Sequence, residues 1–397
     1  MERICVIYAS VACSEGVFEK FFSESAVIPG QAVQKFNRLL IEGLSKPDGV
    51  KVCAISQIPV DSHNCHYKRI KRSTETEGNV SYEYIKLINI RKIRDILAVF
   101  SSYRATIGRI RAVSKSEKAL VISDVLNAPV ALGAAWAAKR SHIPYVAVVT
   151  DIPELGGSGL FYRMVSDHLI KRADLYVFLT EQMNSLLNHD SRPFTVVEGF
   201  VDIEEGDGGG CSEEGSGRRV CLYTGALDPK FGTDNMVIGF LKADIKDTQL
   251  HICGEGPYAD EYKRLCDTHD NLFYHGLVLN KEAVKMQRNA TLLINPRPTD
   301  AEYTKYSFPS KNMEYMVSGT PVLTSDLPGM PKEYRDHVYI IKDTSVEGIA
   351  EALKEVLSLP EADLKDKGNK AREFVLSHKN NVIQAERILN MVKRYWN

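Results

Sequence analysis

Between residues 204 and 217 the chain reads EEGDGGGCSEEGSG, six glycines and five acidic residues in fourteen positions, a composition too polar and too flexible to pack into a core. On both sides of this segment the same alternation runs, an apolar strand followed by a helix-length amphipathic stretch. Before it come RICVIYAS (3–10) and QAVQKFNRLLIEGL (31–44), whose Val33, Phe36, Leu39, Leu40 and Leu44 recur at helical spacing. The strand VKVCAISQIPV (50–60), a basic loop, the strand–helix–strand stretch 122–154, a strand and helix in 173–187 and a strand in 194–202 follow. After it RRVCLYTGAL, TDNMVIGFLKA, TQLHICGEG and YADEYKRLCDTH restart the pattern. Alternation of this kind joins parallel strands through crossover helices, so the chain is read as α/β, with two doubly wound parallel-sheet domains in tandem. The first spans 1–203, the linker 204–217 and the second 218–378; residues 379–397 hold a last helix expected to pack back on the first domain. Ligands of such sheets bind beyond the carboxyl ends of the strands, which predicts a cleft between two such edges.

Several function classes fall away. With 44% hydrophobic and 25% charged residues the 397-residue chain has the balance of a folded globular protein, not of a disordered one. Eight cysteines without a CxxC pair read as reduced thiols, and MERICVIYAS reads as a first strand, so a cytoplasmic location is expected. The longest apolar stretch, 119–138, carries Asp124, Asn127 and Pro129 in its middle and reads as strand, loop and helix, not as a membrane span. Net charge is only −1, yet residues 68–118 hold thirteen basic residues against five acidic ones. Within them, 90–111 reads as a helix with Ile93, Ile96, Leu97, Phe100 and Ile107 toward one side. Either this region, 67–118, makes peripheral contact with an anionic membrane, or its apolar side packs on the sheet while the charges are solvated. Nucleic acid is excluded as a partner because aromatic and basic residues are not interleaved on a recognisable module.

The block 295–334 carries the chemistry. Arg297, Lys305 and Lys311 surround a loop that feeds a helix starting near Pro309 or Ser310, and the free N–H groups of a helix start suit a phosphate or diphosphate. Glu314 falls one turn into that helix, where a carboxylate can accept the two hydroxyls of a ribose. A capped helix with solvated lysines fits the same residues. No G-x-G-x-x-G follows the first strand, which argues against a dinucleotide-binding dehydrogenase. Scattered His63, His66 and His251 have no ligand spacing, so no metal site is expected.

The run YSFPSKNMEYMVSGTPVL (306–323) resembles the donor-site signature of family 4 glycosyltransferases, which have the GT-B fold of two Rossmann-like domains and in bacteria build capsular and exopolysaccharides. LYTGALDPKFG (222–232), HICGEGPY (251–258), HGLV (275–278) and EGFVD (198–202) resemble further family segments in the same order. The resemblance implies retaining transfer of a sugar from a nucleotide sugar, UDP- or GDP-linked, to a hydroxyl of a glycan or a polyprenyl-diphosphate-linked acceptor at the inner face of the cell membrane. No metal or other cofactor is implied. By the same resemblance Glu314 holds the ribose, while Gly225, Lys230, Gly254, Gly256, Lys305, Tyr306, Ser307 and Ser310 bind the rest of the donor. Arg297 and Lys311 neutralise the leaving diphosphate. Asp151, where the family often has a His, orients the acceptor hydroxyl or takes its proton, or simply caps a turn. Gly30 and Gln31 face the reacting sugar and acceptor, or only begin a helix. Tyr306 stands where the family's E-x7-E motif has its first Glu, and Ala226 and Phe231 stand where it often has phosphate-binding Arg and Lys. A nucleotide-sugar 2-epimerase of the same fold and a catalytically degenerate nucleotide-sugar binder are the competing readings.

Overall fold

The structure is a computed structural model that describes residues 3–23, 31–61, 63–65, 67–153, 159–204 and 218–397. The expected linker beyond Glu204, and Gly30, lie outside these residues, as do the side chains of 31, 32, 91 and 92. The chain divides into two compact units, residues 1–200 with 381–397, and residues 201–380.

Among the described residues the first unit is built on an eight-stranded sheet. Its spatial order is Phe194–Val196, Leu175–Phe178, Tyr145–Val149, Glu117–Asp124, Arg3–Ser10, Val50–Ser56, Val80–Tyr84 and Ser73–Glu77. All neighbours are parallel except the last pair. That pair corrects the expectation of a basic loop after the second strand. Ser73–Tyr84 is a hairpin turned at Gly78, whose φ of +56° suits a residue without Cβ, and the alternating SYEY segment buries Tyr82 and Tyr84. The strand expected over 50–60 ends at Ser56, and that over 194–202 ends at Val196.

Two helix pairs close the unit. Helix Asn381–Trp396 packs on helix Gln31–Ser45 at a distance only glycine permits, since a Cβ on Gly43 would stand 2.2 Å from the Asn381 carbonyl oxygen. Gln384 Nε2 donates to Glu198 Oε2 and to the Gly199 carbonyl, both at 3.2 Å, pinning this helix to the segment that follows strand Phe194–Val196. Helix Arg91–Ala112 packs on the alanine-rich helix Ala128–Arg140 in the same close manner. A Cβ on Gly133 would meet the Val99 carbonyl oxygen at 2.2 Å, and Ser102 Oγ donates to the Val130 carbonyl at 2.7 Å. Small residues therefore decide which face is buried: Ala98, Val99, Ser102, Ala105 and Thr106 turn inward.

The second unit carries a six-stranded, wholly parallel sheet in the order Leu272–Tyr274, Thr248–Cys253, Arg219–Thr224, Leu292–Asn295, Val322–Ser325 and Tyr339–Ile341. Alternation along the strands splits the core into two layers. Cys221 and Tyr223 join Met236, Phe240, Ile349 and Leu353 beneath helices Thr233–Ala243 and Val346–Leu357. Leu222 and Leu293 join Met313, Met316 and Val375 beneath helices Ser310–Ser318 and Glu361–His378. Strand order reverses between Arg219–Thr224 and Leu292–Asn295, the switch point at which open sheets of this kind bind ligands.

Candidate functional site

The groups that converge at this switch point are organised by Thr224, the last residue of the first strand of the second unit. Its N–H donates to Tyr315 Oη at 2.9 Å, and its carbonyl accepts from Tyr315 Oη at 3.2 Å and from Lys311 Nζ. Its hydroxyl accepts from Gln287 Nε2 at 3.0 Å, and the same Nε2 donates to Glu314 Oε1 at 2.6 Å. Lys311, Glu314 and Tyr315 come from helix Ser310–Ser318, whose first residue follows Pro309 as the sequence predicts. Gln287 comes from helix Asn280–Asn289 and is fully buried. Sequence reasoning missed it: no motif surrounds it, and only its position one helix before the strand Leu292–Asn295 could have drawn attention to it.

Lys311 is the electrostatic centre. Its ammonium lies 5.3 Å from the centroid of the Tyr223 ring. Burial pulls its pKa down to about 8 from the ordinary lysine value; Glu314 opposes the change and Arg297 adds to it. The site therefore holds a partly desolvated cation whose field reaches Arg297 and Glu314. Gly225 makes this possible, since a Cβ there would stand 1.7 Å from Lys311 Nζ. Gly254 follows the neighbouring strand and fits equally tightly, its virtual Cβ 1.8 Å from the Gly225 carbonyl oxygen. Gly256 lies against the Leu227 carbonyl, and Leu227 N–H donates to the Glu255 carbonyl at 2.9 Å, so the two glycine turns are zipped together.

Phe231, which replaces a basic residue of the resembling family, serves here as a platform. The Arg297 guanidinium lies 5.0 Å from its ring centroid and Lys230 Nζ lies 5.0 Å from it too. Lys230 also pairs with Asp228 at 3.5 Å, and Tyr303 Oη donates to the Lys230 carbonyl at 2.8 Å, tying loop 228–232 to loop 296–306. Lys305 and Ser310 are exposed, and Tyr306 is half-buried at the end of the short 3-10 turn Glu302–Tyr306. Ser307 Oγ and Gln287 Oε1 are buried atoms without a hydrogen-bond partner.

The remaining predicted residues belong to the first unit. Asp151 lies two residues past strand Tyr145–Val149, is exposed, and accepts the Ile152 N–H at 2.8 Å, the geometry of a turn cap. Gln31 is the first residue of helix Gln31–Ser45. His251, by contrast, gains a partner the sequence reading did not anticipate. Its Nδ1 lies 3.0 Å from His275 Nε2 across neighbouring strands, and burial, with His275 adding to it, lowers its pKa to about 4. Among the described residues no group of three or more His, Cys, Asp and Glu could hold a metal ion, and no helix is long and apolar enough to cross a membrane.

Residues 212–374 match the family described as Glycosyl transferases group 1. No curated protein matches the chain. Solved structures match it over nearly its whole length. A trehalose-6-phosphate synthase studied for glycosyltransfer with retention through bisubstrate glycomimetics shares a TM-score of 0.67 and 11% identity, with 99% of each chain covered. The lipopolysaccharide outer core galactosyltransferase WaaB in its apo form gives 0.61 and 16%, with 99% of each covered. Anabaena Alr3699/HepE in complex with UDP gives 0.62 and 12%, covering 99% of this chain and 100% of that one. At such identities the likeness establishes the fold: two tandem Rossmann-like units of the GT-B type. The domain match over 212–374 supports a glycosyltransferase.

Proposed function

We propose that this protein is a retaining glycosyltransferase of the family 4 kind, moving a sugar from a nucleotide-sugar donor to a hydroxyl of a glycan or lipid-linked acceptor in surface polysaccharide synthesis. The observation that carries the reading is the buried Lys311 ammonium held by the Thr224 carbonyl over Gly225, with Glu314 one turn further along the same helix and fixed by Gln287. A diphosphate lying over Gly225 meets this ammonium and the free N–H groups at the start of helix Ser310–Ser318. Arg297, braced on Phe231, adds a second cation. Positive groups already in place where charge develops on the departing diphosphate lower the barrier without reorganising, which is usually the largest catalytic contribution.

Glu314 is assigned to the ribose, its Oε1 being already engaged by Gln287 and its second oxygen remaining to accept a hydroxyl. A uridine donor is favoured by the UDP of the Anabaena neighbour, and retention by the trehalose-6-phosphate synthase. Tyr306, Ser307 and Lys305 fall to the sugar and phosphates, with Ser307 Oγ still unsatisfied. Asp151 is assigned to orienting the acceptor hydroxyl. The site calls for no metal, since its own cations face the diphosphate.

A thermal-shift screen with UDP, GDP, ADP, CMP and their sugar conjugates tests the reading. A ligand at about 100 times its dissociation constant adds roughly 2.7 kcal/mol to the native state. One nucleotide is expected to raise the melting temperature of the parent, and neither Lys311→Ala nor Glu314→Ala is expected to turn over that donor while remaining folded. Absence of any shift overturns the donor assignment. A shift without donor hydrolysis or transfer identifies a binder, and release of a free epimerised sugar identifies an epimerase.

A further inference from the structure

We propose that the first unit docks on an anionic lipid bilayer through a face made by two neighbouring helices, Arg91–Ala112 and Leu160–Arg172. Because the first of these buries its small residues against Ala128–Arg140, its bulky ones point outward: Ile93, Ile96 and Phe100, at helical spacing, are 44, 60 and 59% exposed. On the second helix Leu160, Phe161 and Met164 are 74, 54 and 63% exposed. Tyr162 Oη donates to Asp95 Oδ2 at 2.9 Å, which places the two groups side by side, since Asp95 stands between Ile93 and Ile96 and Tyr162 between Phe161 and Met164. Ile90 and Tyr67, also exposed, border the same edge, where Asn89 N–H donates to the Lys68 carbonyl at 2.9 Å. Single exposed apolar residues are ordinary; a cluster contributed by three segments marks a surface that meets something apolar.

Charge identifies what it meets. Along the first helix the outward stripe of Ile93, Ile96 and Phe100 continues into exposed Arg104 and Arg111, four and eleven residues past Phe100. On the second helix the stripe of Leu160 and Met164 continues into exposed Lys171, and Lys68 and Arg69 flank Tyr67. An apolar centre with a basic border matches acyl chains beneath anionic headgroups. A second copy of this chain would set each basic border against its own like on a two-fold interface, which repels.

The same helices supply Arg94 and Tyr162 to a pocket of about 210 Å³ at the carboxyl ends of the strands, shared with Gln57 and Asn127. Gln57 Oε1 is buried there without a hydrogen-bond partner. If the transferase reading holds, on which this step alone rests, a headgroup hydroxyl borne by the docked bilayer is the substrate of that pocket; the docking itself does not depend on it.

Flotation of the full chain with phosphatidylcholine vesicles, and with vesicles that also contain phosphatidylglycerol, tests the proposal at low and high salt. Binding is expected to the mixed vesicles only, and to weaken with salt. Basic residues near an anionic surface contribute roughly fivefold each, so Arg104→Glu with Arg111→Glu should cost more than tenfold. Phe100→Ser with Phe161→Ser removes two rings from the acyl boundary and should cost at least about tenfold as well. Melting curves establish that each variant is folded, and the nucleotide-induced shift in the second unit is read separately, so failure of docking and failure of the donor assignment are distinct results. No binding to mixed vesicles at low salt overturns the proposal, as does undiminished binding by the serine variant. So does a dimer in sedimentation that the serine variant dissolves while the parent ignores vesicles.

Discussion

Replacing Lys311 by methionine sets the stability of the empty site against its function. In the folded chain burial lowers the lysine pKa to about 8 from the ordinary lysine value of 10.5. A difference of that size corresponds to about 3 kcal/mol of destabilisation while the amine is charged, at roughly 1.4 kcal/mol per pH unit. The sign follows from proton uptake: the unfolded chain binds the extra proton between pH 8 and 10.5, so parent stability rises with pH across that window and carries the full cost below it. Methionine fills similar volume without the charge. The Thr224 carbonyl keeps a donor in Tyr315 Oη at 3.2 Å, so no acceptor is left buried and unpaired. Lys311→Met should therefore melt higher than the parent at pH 7, by roughly 6–12 °C for a unit of the size of Val201–Asn380. The gap should narrow to under about 1 kcal/mol by pH 10, and nucleotide should no longer raise the melting temperature of the variant. Melting curves of both proteins at pH 7 and 10, with and without UDP, supply all of these comparisons. A variant that melts below the parent at neutral pH, with a gap indifferent to pH, would refute the argument that this ammonium is held at a cost for a ligand.

Gly225→Ala puts a Cβ 1.7 Å from Lys311 Nζ, so the lysine must leave its place over Thr224; nucleotide-induced stabilisation should disappear while far-ultraviolet circular dichroism stays that of the parent. Gln287→Leu removes the donor shared by Thr224 and Glu314 and should lower stability by about 1–3 kcal/mol in urea titrations. It should also weaken nucleoside diphosphate more than inorganic pyrophosphate, because the ribose contact loses its brace; equal weakening of both would place Glu314 elsewhere. In the first unit, buried Glu83 pairs with Arg109 at 2.7 Å and Arg72 at 2.5 Å, and Glu83→Gln should cost about 2–3 kcal/mol by urea unfolding, less than a fully buried pair because both arginines reach solvent.

Where local chemistry and fold agree, the sequence was readable. SFPSK announces the helix beginning at Ser310, and the glycine turns at 225 and 254 follow strands whose apolar runs are plain. The hairpin 73–84 was obscured because its first strand, STETE, is polar throughout and its second buries the charged Glu83 between Tyr82 and Tyr84, so no run of apolar residues stands out among the surrounding lysines and arginines. Gln287 could not be found from spacing, since it meets Glu314 only after two helices pack beside the same strand end. Leu160, Phe161 and Met164 mislead in the opposite direction: their spacing looks like a core stripe, and only the packing of the neighbouring helices leaves them outside. Substitution of Phe231 for a phosphate-binding residue was visible, yet its use as a ring on which two cations rest was not.

The first unit is assembled from both sides of the second, with residues 381–397 supplying the helix that lies on Gln31–Ser45. In order of synthesis, then, the second unit is made whole while the first still lacks a wall, and the surface around Leu40, Gly43 and Leu44 stays open until the final helix emerges. The strands and helices of the first unit that precede the second wait longest for their last contact. Loss of residues 381–397 would spare every strand of the second unit and still leave the first uncovered, so the damage would show as aggregation of the first unit while the second keeps its fold.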